Sequence, residues 1–262
     1  MLDFDFHCHT TASDGTLTAE QVIERAARAG VRQLAITDHD CCGDTAAYQQ
    51  IAASHGVKLF SGVEISCSWL NNDIHIVGLN FRPDAAPLAQ LMAQQRQRRL
   101  ERSQAIAQRL EKHGFKGALQ GAEAIAGRAE LTRPHFAQWL INEGHCKDQK
   151  QAFSRWLAQS KPAYVPMQWC SVEEAVDAIN RSGGIAVVAH PARYDFTRTK
   201  LKRLLDVFAA AQGGAIEVLT LTHDESMTRF LVDQAKQRGL AGSAGSDFHG
   251  SSMPWLDFGR LP

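Results

Sequence analysis

Short apolar runs alternate with capped helical segments at both ends of the chain, and this alternation restricts the fold more than any other feature of the sequence. Leu2 to Cys8 has the period of a barrel strand: Leu2, Phe4, Phe6 and Cys8 face one way, Asp5, His7 and His9 the other. Thr18-x-x-Gln21 is a capping box opening a helix to Gly30, and Leu34 to Thr37 is a short buried strand. A second helix is expected from about Asp44 to His55, stopping at Gly56, and strands over Val57 to Ile65 and Ile74 to Leu79. From Pro83 to about Pro166 the pattern is helical only. The alternation then returns with the capping box Ser171-x-x-Glu174, a helix to Ser182, and the continuous apolar strand Ile185 to Ala189. Ala215 to Leu219, a helix capped by Thr222-x-x-Glu225, and a last strand near Leu240 to Ala244 complete the series. Right-handed βα crossovers between six or seven such strands predict an α/β fold, either a parallel barrel or a doubly wound sheet. Residues 1–82 and 167–262 would form it, with 83–166 as a helical insertion capping the substrate.

Composition narrows the class. A chain of 262 residues is near the upper size of a single core. Lys+Arg of 28 against Asp+Glu of 28 leaves no net charge, so any polyanion binding must be local. No apolar run approaches the roughly 20 residues of a bilayer span, and the N-terminus carries no basic or long apolar leader. Six cysteines without a C-x-x-C pair read as reduced thiols filling the core, so a cytoplasmic protein without a membrane partner is expected.

Eleven histidines are the unusual entry in the composition. His7-Cys8-His9, Asp38-His39-Asp40, Glu64, His190, Glu217 and Asp247-Phe248-His249 all fall at or just beyond the expected carboxyl ends of strands, where α/β barrels build active sites. His7 and His9 share one strand face, about 7 Å apart along the chain, which suits gripping one cation from one side. Asp247 and His249 repeat the spacing. A single histidine at a strand end is more often structural, but two such pairs together with Asp38-His39 and His190-Pro191 make chance clustering the poorer explanation. Imidazoles mixed with carboxylates and without thiolates select Mn²⁺, Fe²⁺ or Zn²⁺, and more than four ligands imply more than one ion. His55 and His113 each precede a glycine and read as helix C-caps, and His145 carries no chemistry.

These residues resemble the polymerase and histidinol phosphatase (PHP) superfamily. The resemblance rests on His7-x-His9 with Ser13-Asp14-Gly15, Thr37-Asp38-His39-Asp40, Gly62-Val63-Glu64-Ile65-Ser66, His75-Ile76-Val77-Gly78, Ala189-His190-Pro191 and Ser246-Asp247-Phe248-His249, in order from residue 7 to 249. Ser13-Asp14-Gly15 and the long insertion are most similar to the bacterial nucleoside 3′,5′-bisphosphate phosphatases that also act as 5′-to-3′ exoribonucleases. The resemblance implies a distorted seven-stranded (β/α) barrel holding three divalent cations, Mn²⁺ first, with Fe²⁺, Zn²⁺ or Mg²⁺ as alternatives. It implies that His7, His9, Glu64 and Asp247 hold one ion, Glu64, His75 and His190 a second, and Asp14, His39 and His249 a third. The implied substrates are a nucleotide bisphosphate and short single-stranded RNA, with no obligate protein partner. A histidinol-phosphate-type monoesterase and a metal-dependent amidohydrolase are the competing enzyme classes.

Further residues are candidates for substrate contact. Arg193, three residues after His190, could clamp a phosphoryl group bidentately, and His223 could approach the site as a second catalytic group. Thr132-Arg133-Pro134-His135 reads as an N-cap and first helical turn whose donors suit an anion, making Arg133 and His135 substrate candidates, with Lys161 a weaker one. Arg96, Arg98, Arg99, Arg102, Arg109, Lys112 and Lys116 outnumber Glu101 and Glu111, a pattern compatible with steering an RNA backbone or with an ordinary solvated helix face. Asp5 is a candidate partner for a ligand imidazole, or a buried structural carboxylate.

Overall fold

The structure, a computed structural model, describes residues 2–127, 129–220, 224–250 and 256–261. Three short parallel strands, β1 (Phe4–Asp5), β2 (Gln33–Ala35) and β3 (Lys58–Phe60), form one sheet in that order. A second sheet carries β4 (Gly62–Trp69), β5 (Asn72–Leu79), β6 (Ile185–Val188), β7 (Ala215–Leu219) and β8 (Ala241–Ala244). β5 runs antiparallel to both β4 and β6, whereas β6, β7 and β8 are mutually parallel.

The fold is therefore mixed α/β, and two sequence expectations change. The single strand expected over Val57 to Ile65 breaks at Ser61, so β3 completes one sheet and β4 starts the other. β4 and β5 then form a hairpin through Leu70-Asn71, both at positive φ (46° and 59°), the two-residue turn whose twist matches antiparallel strands. A closed seven-stranded barrel is not what the ladders make: among the described residues eight strands lie in two separate sheets. Isolated contacts span the seams, Cys8 with Phe248 on one side and His39 with Glu64 on the other. Asp40 (φ 50°) and Asp247 (φ 53°) lie beside those seams, and residues in this left-handed region cannot continue a ladder.

Helices cover the outside. α1 (Ala19–Arg28) and α2 (Thr45–Ser54) pack with β2 and β3 around Val22, Ile23, Leu34 and Phe248. α7 (Val172–Arg181), α8 (Arg198–Ala210) and α9 (Glu225–Gln237) close the larger sheet around Ile65, Ile76, Val176, Leu204 and Phe208. The Thr18/Gln21 and Ser171/Glu174 capping boxes form as expected, but Asp224 caps α9, accepting from the Met227 N–H at 2.9 Å. Thr222 lies outside the described residues.

The helical block comprises α3 (Ala86–Lys112), α4 (Ala118–Ala126), α5 (Arg133–Asn142) and α6 (Gln149–Ala152), the last continued by a π-helical turn, Phe153–Leu157. It has its own core of Ile106, Leu110, Phe136, Leu140 and Leu157. α3 spans about 40 Å at 1.5 Å per residue and joins both cores, with Leu88 and Leu91 packing among the strands and Ile106 and Leu110 within the block. Among the described residues no helix is long and apolar enough to cross a membrane.

Candidate metal centre

All nine histidine, aspartate and glutamate side chains singled out from the sequence converge on one pocket. His7 and His9, just after β1, are fully buried, with Nε2 atoms 3.2 Å apart. Both face Asp247 Oδ1, at 3.2 and 3.1 Å, and the Glu64 carboxylate, at 3.3 and 3.2 Å. Glu64 also meets His39 (3.1 Å), His75 (2.9 Å) and His190 (2.9 Å), so one carboxylate touches five imidazoles. Asp14 faces His249 at 3.4 Å and His9 and His39 at 3.8 Å.

The ligand atoms form three overlapping groups: His7, His9, Glu64 and Asp247; His9, Asp14, His39 and His249; and His39, Glu64 and His75. His190 Nε2 lies 3.3 Å from His75 Nδ1, beside the third group. Four buried atoms in this pocket, Glu64 Oε2, Asp247 Oδ1, His39 Nδ1 and His190 Nδ1, make no hydrogen bond. Buried polar atoms are ordinarily paired, and a set of imidazole nitrogens and carboxylate oxygens left over at such separations fits divalent cations.

Charge in the pocket is strongly coupled. Burial opposes ionisation of Glu64, yet His75, His7 and His39 hold its carboxyl well below the usual range. Asp247 is held low in the same way by His7 and His249, and Asp14 by His39 and His249. Burial depresses His9, but the Asp247 and Glu64 carboxylates close to its Nε2 outweigh it and lift the imidazole to about 10. For His39 burial wins, reinforced by His9 and His75, and the imidazole falls to about 3. A divalent ion meets carboxylates already ionised, and has to displace a proton from His9.

The flanking motif residues hold the loops. Asp38 accepts from the Thr10 N–H (2.8 Å), the Thr10 hydroxyl (2.7 Å) and the Ser13 hydroxyl (2.6 Å), fixing the turn that presents Asp14. Gly15 lets that turn press on His9, where a Cβ would sit 2.6 Å from the His9 carbonyl. Gly245 does the same under His7, where a Cβ would come within 2.2 Å of the His7 Cβ. Asp40 accepts from the Ser66 N–H (2.8 Å), Gln95 (3.0 Å) and Arg99 (2.8 Å), so only His39 of its triplet enters the pocket. Asp5 binds the N–H groups of Ser246 (3.0 Å) and His7 (3.2 Å) rather than an imidazole ring, and burial pushes its carboxyl up to about 7.

A cationic wall adjoins the ligands. Arg99, Arg102 and Arg133 line one cavity together with Asp14, His39 and His75. Arg99 is bound to Asp40 and to the Ser66 hydroxyl (3.0 Å) and lies over the Trp169 ring. Arg102 is buried; its Nε donates to the Val165 carbonyl (3.3 Å), but its Nη2 has no hydrogen bond, the Asp73 carboxylate lying 3.6 Å away. Burial and the adjacent Arg133 lower its guanidinium to about 10. Arg133 opens α5 and faces the same Asp73 at 3.9 Å.

The PHP domain model matches residues 5–220 of this sequence. The chain belongs to the PHP domain family. It is 44% identical over 259 residues to the 5′-3′ exoribonuclease Rnm of Escherichia coli, covering 98% of this chain and 88% of that one. It is 41% identical over 262 residues to the 3′,5′-nucleoside bisphosphate phosphatase of Chromobacterium violaceum, covering 99% and 92%. Among solved structures, a Chromobacterium violaceum chain described as an amidohydrolase with bound sulfate and no metal superposes with a TM-score of 0.92 at 40% identity, covering 100% and 91%. A candidate metal-dependent phosphoesterase from Bifidobacterium adolescentis superposes with a TM-score of 0.87 at 27% identity, covering 96% and 89%.

Not every candidate of this PHP chain reaches the pocket. Arg193 donates to Asp247 Oδ2 at its edge. His135 spends Nδ1 on the Thr132 N–H (3.0 Å), completing the cap of α5, and also meets the Ser13 backbone beside Asp14, but it does not line the cavity. Lys161 is exposed in the turn between Ala158 and Tyr164 and does not line the cavity, because that turn carries its side chain to solvent. His223 lies outside the described residues. Glu64 sits inside the antiparallel strand β4 and Glu217 in the middle of β7, not at the carboxyl ends expected for them, and His75 lies inside β5. The basic stretch of α3 is not one solvated face, since Arg99 and Arg102 turn inward while Arg96 is exposed and pairs with Glu130. Their spacing carried the signal: Leu88, Leu91, Gln95, Arg99, Arg102, Ile106 and Leu110 recur at three and four residues, placing both arginines in the buried stripe.

Proposed function

We propose that this PHP-domain chain is a metal-dependent phosphoesterase that removes the 3′-phosphate from nucleoside 3′,5′-bisphosphates and releases 5′-mononucleotides from short 5′-phosphorylated RNA. The observation that carries this is Arg102: a buried guanidinium whose Nη2 makes no hydrogen bond and faces only Asp73 at 3.6 Å, beside Arg99 and Arg133, in the cavity that also exposes His39, His75 and Asp14. A phosphate dianion satisfies such donors at the N-terminus of α5. The names of the two 44% and 41% identical relatives support the same substrate class. The amidohydrolase description of one structural neighbour is the competing reading, but a neutral amide offers nothing to three converging arginines.

Three ions, Mn²⁺ foremost, are assigned to His7, His9, Glu64 and Asp247; to Glu64, His75 and His190; and to Asp14, His39 and His249. When bound, divalent cations lower the pKa of water and neutralise phosphoryl oxygens. The chain's own part is orientation: Arg99, Arg102 and Arg133 hold the 5′-phosphate, which turns the 3′ side of the nucleotide toward the ligand cluster. Arg193, bound to Asp247, borders the reacting phosphoryl group. Residues 83–166 act as the cap that supplies most of this anchor to the frame of 1–82 and 167–262. With only a phosphate on the 3′ oxygen, hydrolysis yields a 5′-mononucleotide and phosphate. With a further nucleotide there, the same attack shortens RNA by one residue from its 5′ end. Six free thiols are in keeping with a cytoplasmic enzyme.

An anchor that positions the reacting phosphorus raises turnover as well as binding. A nucleoside 3′-monophosphate lacking the 5′-phosphate is therefore expected to be a far poorer substrate than the 3′,5′-bisphosphate. Equal kcat/KM for the pair refutes the anchor, and products bearing 5′-hydroxyls refute the direction of cleavage.

A further inference from the structure

Glu217, buried in β7, touches two of the candidate ligands through groups other than their ligating atoms. Its Oε1 lies 2.7 Å from His7 Nδ1, and its Oε2 accepts the His190 backbone N–H at 2.5 Å. His190 has a φ of 29°, a conformation that a non-glycine residue keeps only when its surroundings impose it. The irregular register of β7 against β8 between Glu217 and Leu219 interrupts the ladder where this side chain turns inward. We infer that Glu217 is a positioning residue that sets the tautomer of His7 and the backbone of His190, so that ligands of two neighbouring ions depend on one carboxylate.

Glu217 Oε2 already accepts the His190 N–H, and an Oε1 that accepts as well at 2.7 Å places the His7 proton on Nδ1. The Nε2 lone pair then faces Asp247 Oδ1 (3.2 Å), His9 Nε2 (3.2 Å) and Glu64 Oε1 (3.3 Å), which is where an ion held by that group would lie. On two other ligand rings the corresponding hydrogen bond goes to a neutral group, with carboxylates farther off: His9 Nδ1 lies 3.4 Å from the Ser13 hydroxyl and 3.8 Å from Asp14, and His249 Nδ1 lies 2.9 Å from the Asp247 carbonyl and 3.6 Å from its carboxylate. His7 meets a carboxylate outside the nine candidate ligands at close range, on the nitrogen opposite the ligand group, which both fixes the ring and strengthens it as a donor. Asp5 is buried beside it but is occupied by the N–H groups of His7 and Ser246, so it cannot substitute.

The inference rests on reading the pocket as a metal centre, and Glu217→Gln tests it separately from that reading. The amide keeps the shape but cannot accept at both ends. If its oxygen takes the His190 N–H, its NH₂ donates to His7 Nδ1 and drives the His7 proton onto Nε2, facing the ion. If its oxygen takes the His7 proton, its NH₂ meets the His190 N–H donor to donor. Folded E217Q, judged by circular dichroism, is expected to bind Mn²⁺ about 10- to 100-fold more weakly or with one equivalent fewer, by elemental analysis and by the free-Mn²⁺ spin-resonance signal. Excess Mn²⁺ should recover part of its activity. Unchanged Mn²⁺ stoichiometry and affinity overturn the role of Glu217, whereas wild-type protein that takes up no Mn²⁺ sinks the metal centre itself. Should E217Q fail to fold, long-range ¹H–¹⁵N spectra of the zinc-loaded wild type decide: a proton on His7 Nδ1 upholds the inference, and one on Nε2 overturns it.

Discussion

The ligand cluster and the arginine wall meet at one cavity, where Asp14, His39 and His75 face Arg99, Arg102 and Arg133, yet their charges are neutralised in opposite ways. In the cluster, imidazoles and carboxylates interlock: Glu64 alone meets five rings, and each of the nine side chains comes from a strand, or a loop beside one, held by backbone contacts. In the wall, three guanidiniums share Asp40 and Asp73, and Arg102 Nη2 is left without a hydrogen bond. An unsatisfied buried donor costs about 1–3 kcal/mol, which a chain tolerates where a ligand will supply the missing acceptor. The comparison teaches a division of labour. The strands hold groups suited to chemistry on any phosphoester, and the helical insertion holds groups suited to choosing which one.

That division breaks or sharpens under substitution. The largest effect is expected in the cluster: His9→Ala or Asp247→Ala should lower kcat by about 10³-fold or more, because losing even one charge-stabilising group in an active site costs 10²–10³. Chelation should do the same to the wild type and Mn²⁺ should reverse it; turnover in metal-free protein, or near-normal kcat in either variant, would end the assignment.

On the wall, Arg102→Ala should cost kcat/KM roughly 10- to 150-fold, the 1.5–3 kcal/mol of a hydrogen bond to a charged group, and only for substrates with a 5′-phosphate. An equal loss on substrates with and without it would make Arg102 structural. Arg133→Ala, at a more exposed position, should cost about 10-fold with the same selectivity, as expected for a single charge-assisted contact. Asp73→Asn should have the smallest and opposite effect. Its carboxylate faces both Arg102 and Arg133, so removing its charge should lower KM for the 5′-phosphorylated substrate by a few-fold; a raised KM would mean that Asp73 orients the arginines instead.

The cluster was legible because its signals are local. H-x-H and D-x-H spacings place two ligands on one face of one extended segment, and a histidine after a buried apolar run marks the end of a strand whatever the rest of the chain does. Capping boxes at Thr18 and Ser171, the C-caps His55 and His113, and the run of helices that begins with α3 were readable for the same reason. The arginines were harder to read because charge and period disagree on α3. Their side chains suggest solvent, while their spacing with Leu88, Leu91, Ile106 and Leu110 puts them in the buried stripe.

What the sequence by itself determined is the α/β alternation and the run of helices between its two halves, set by spacings within one segment, while the nine ligand candidates came as a set from the resemblance of its motifs to the PHP family. Tertiary structure alone decided that the strands divide into sheets of three and five, that Glu64 stands among five imidazoles, that Arg102 keeps a donor without a hydrogen bond beside them, and that Glu217 reaches His7 across 210 residues of chain. Each of these depends on which distant segments share a desolvated space. That choice is made by packing of the whole core, where a buried charge must find its partners, and no local pattern encodes it.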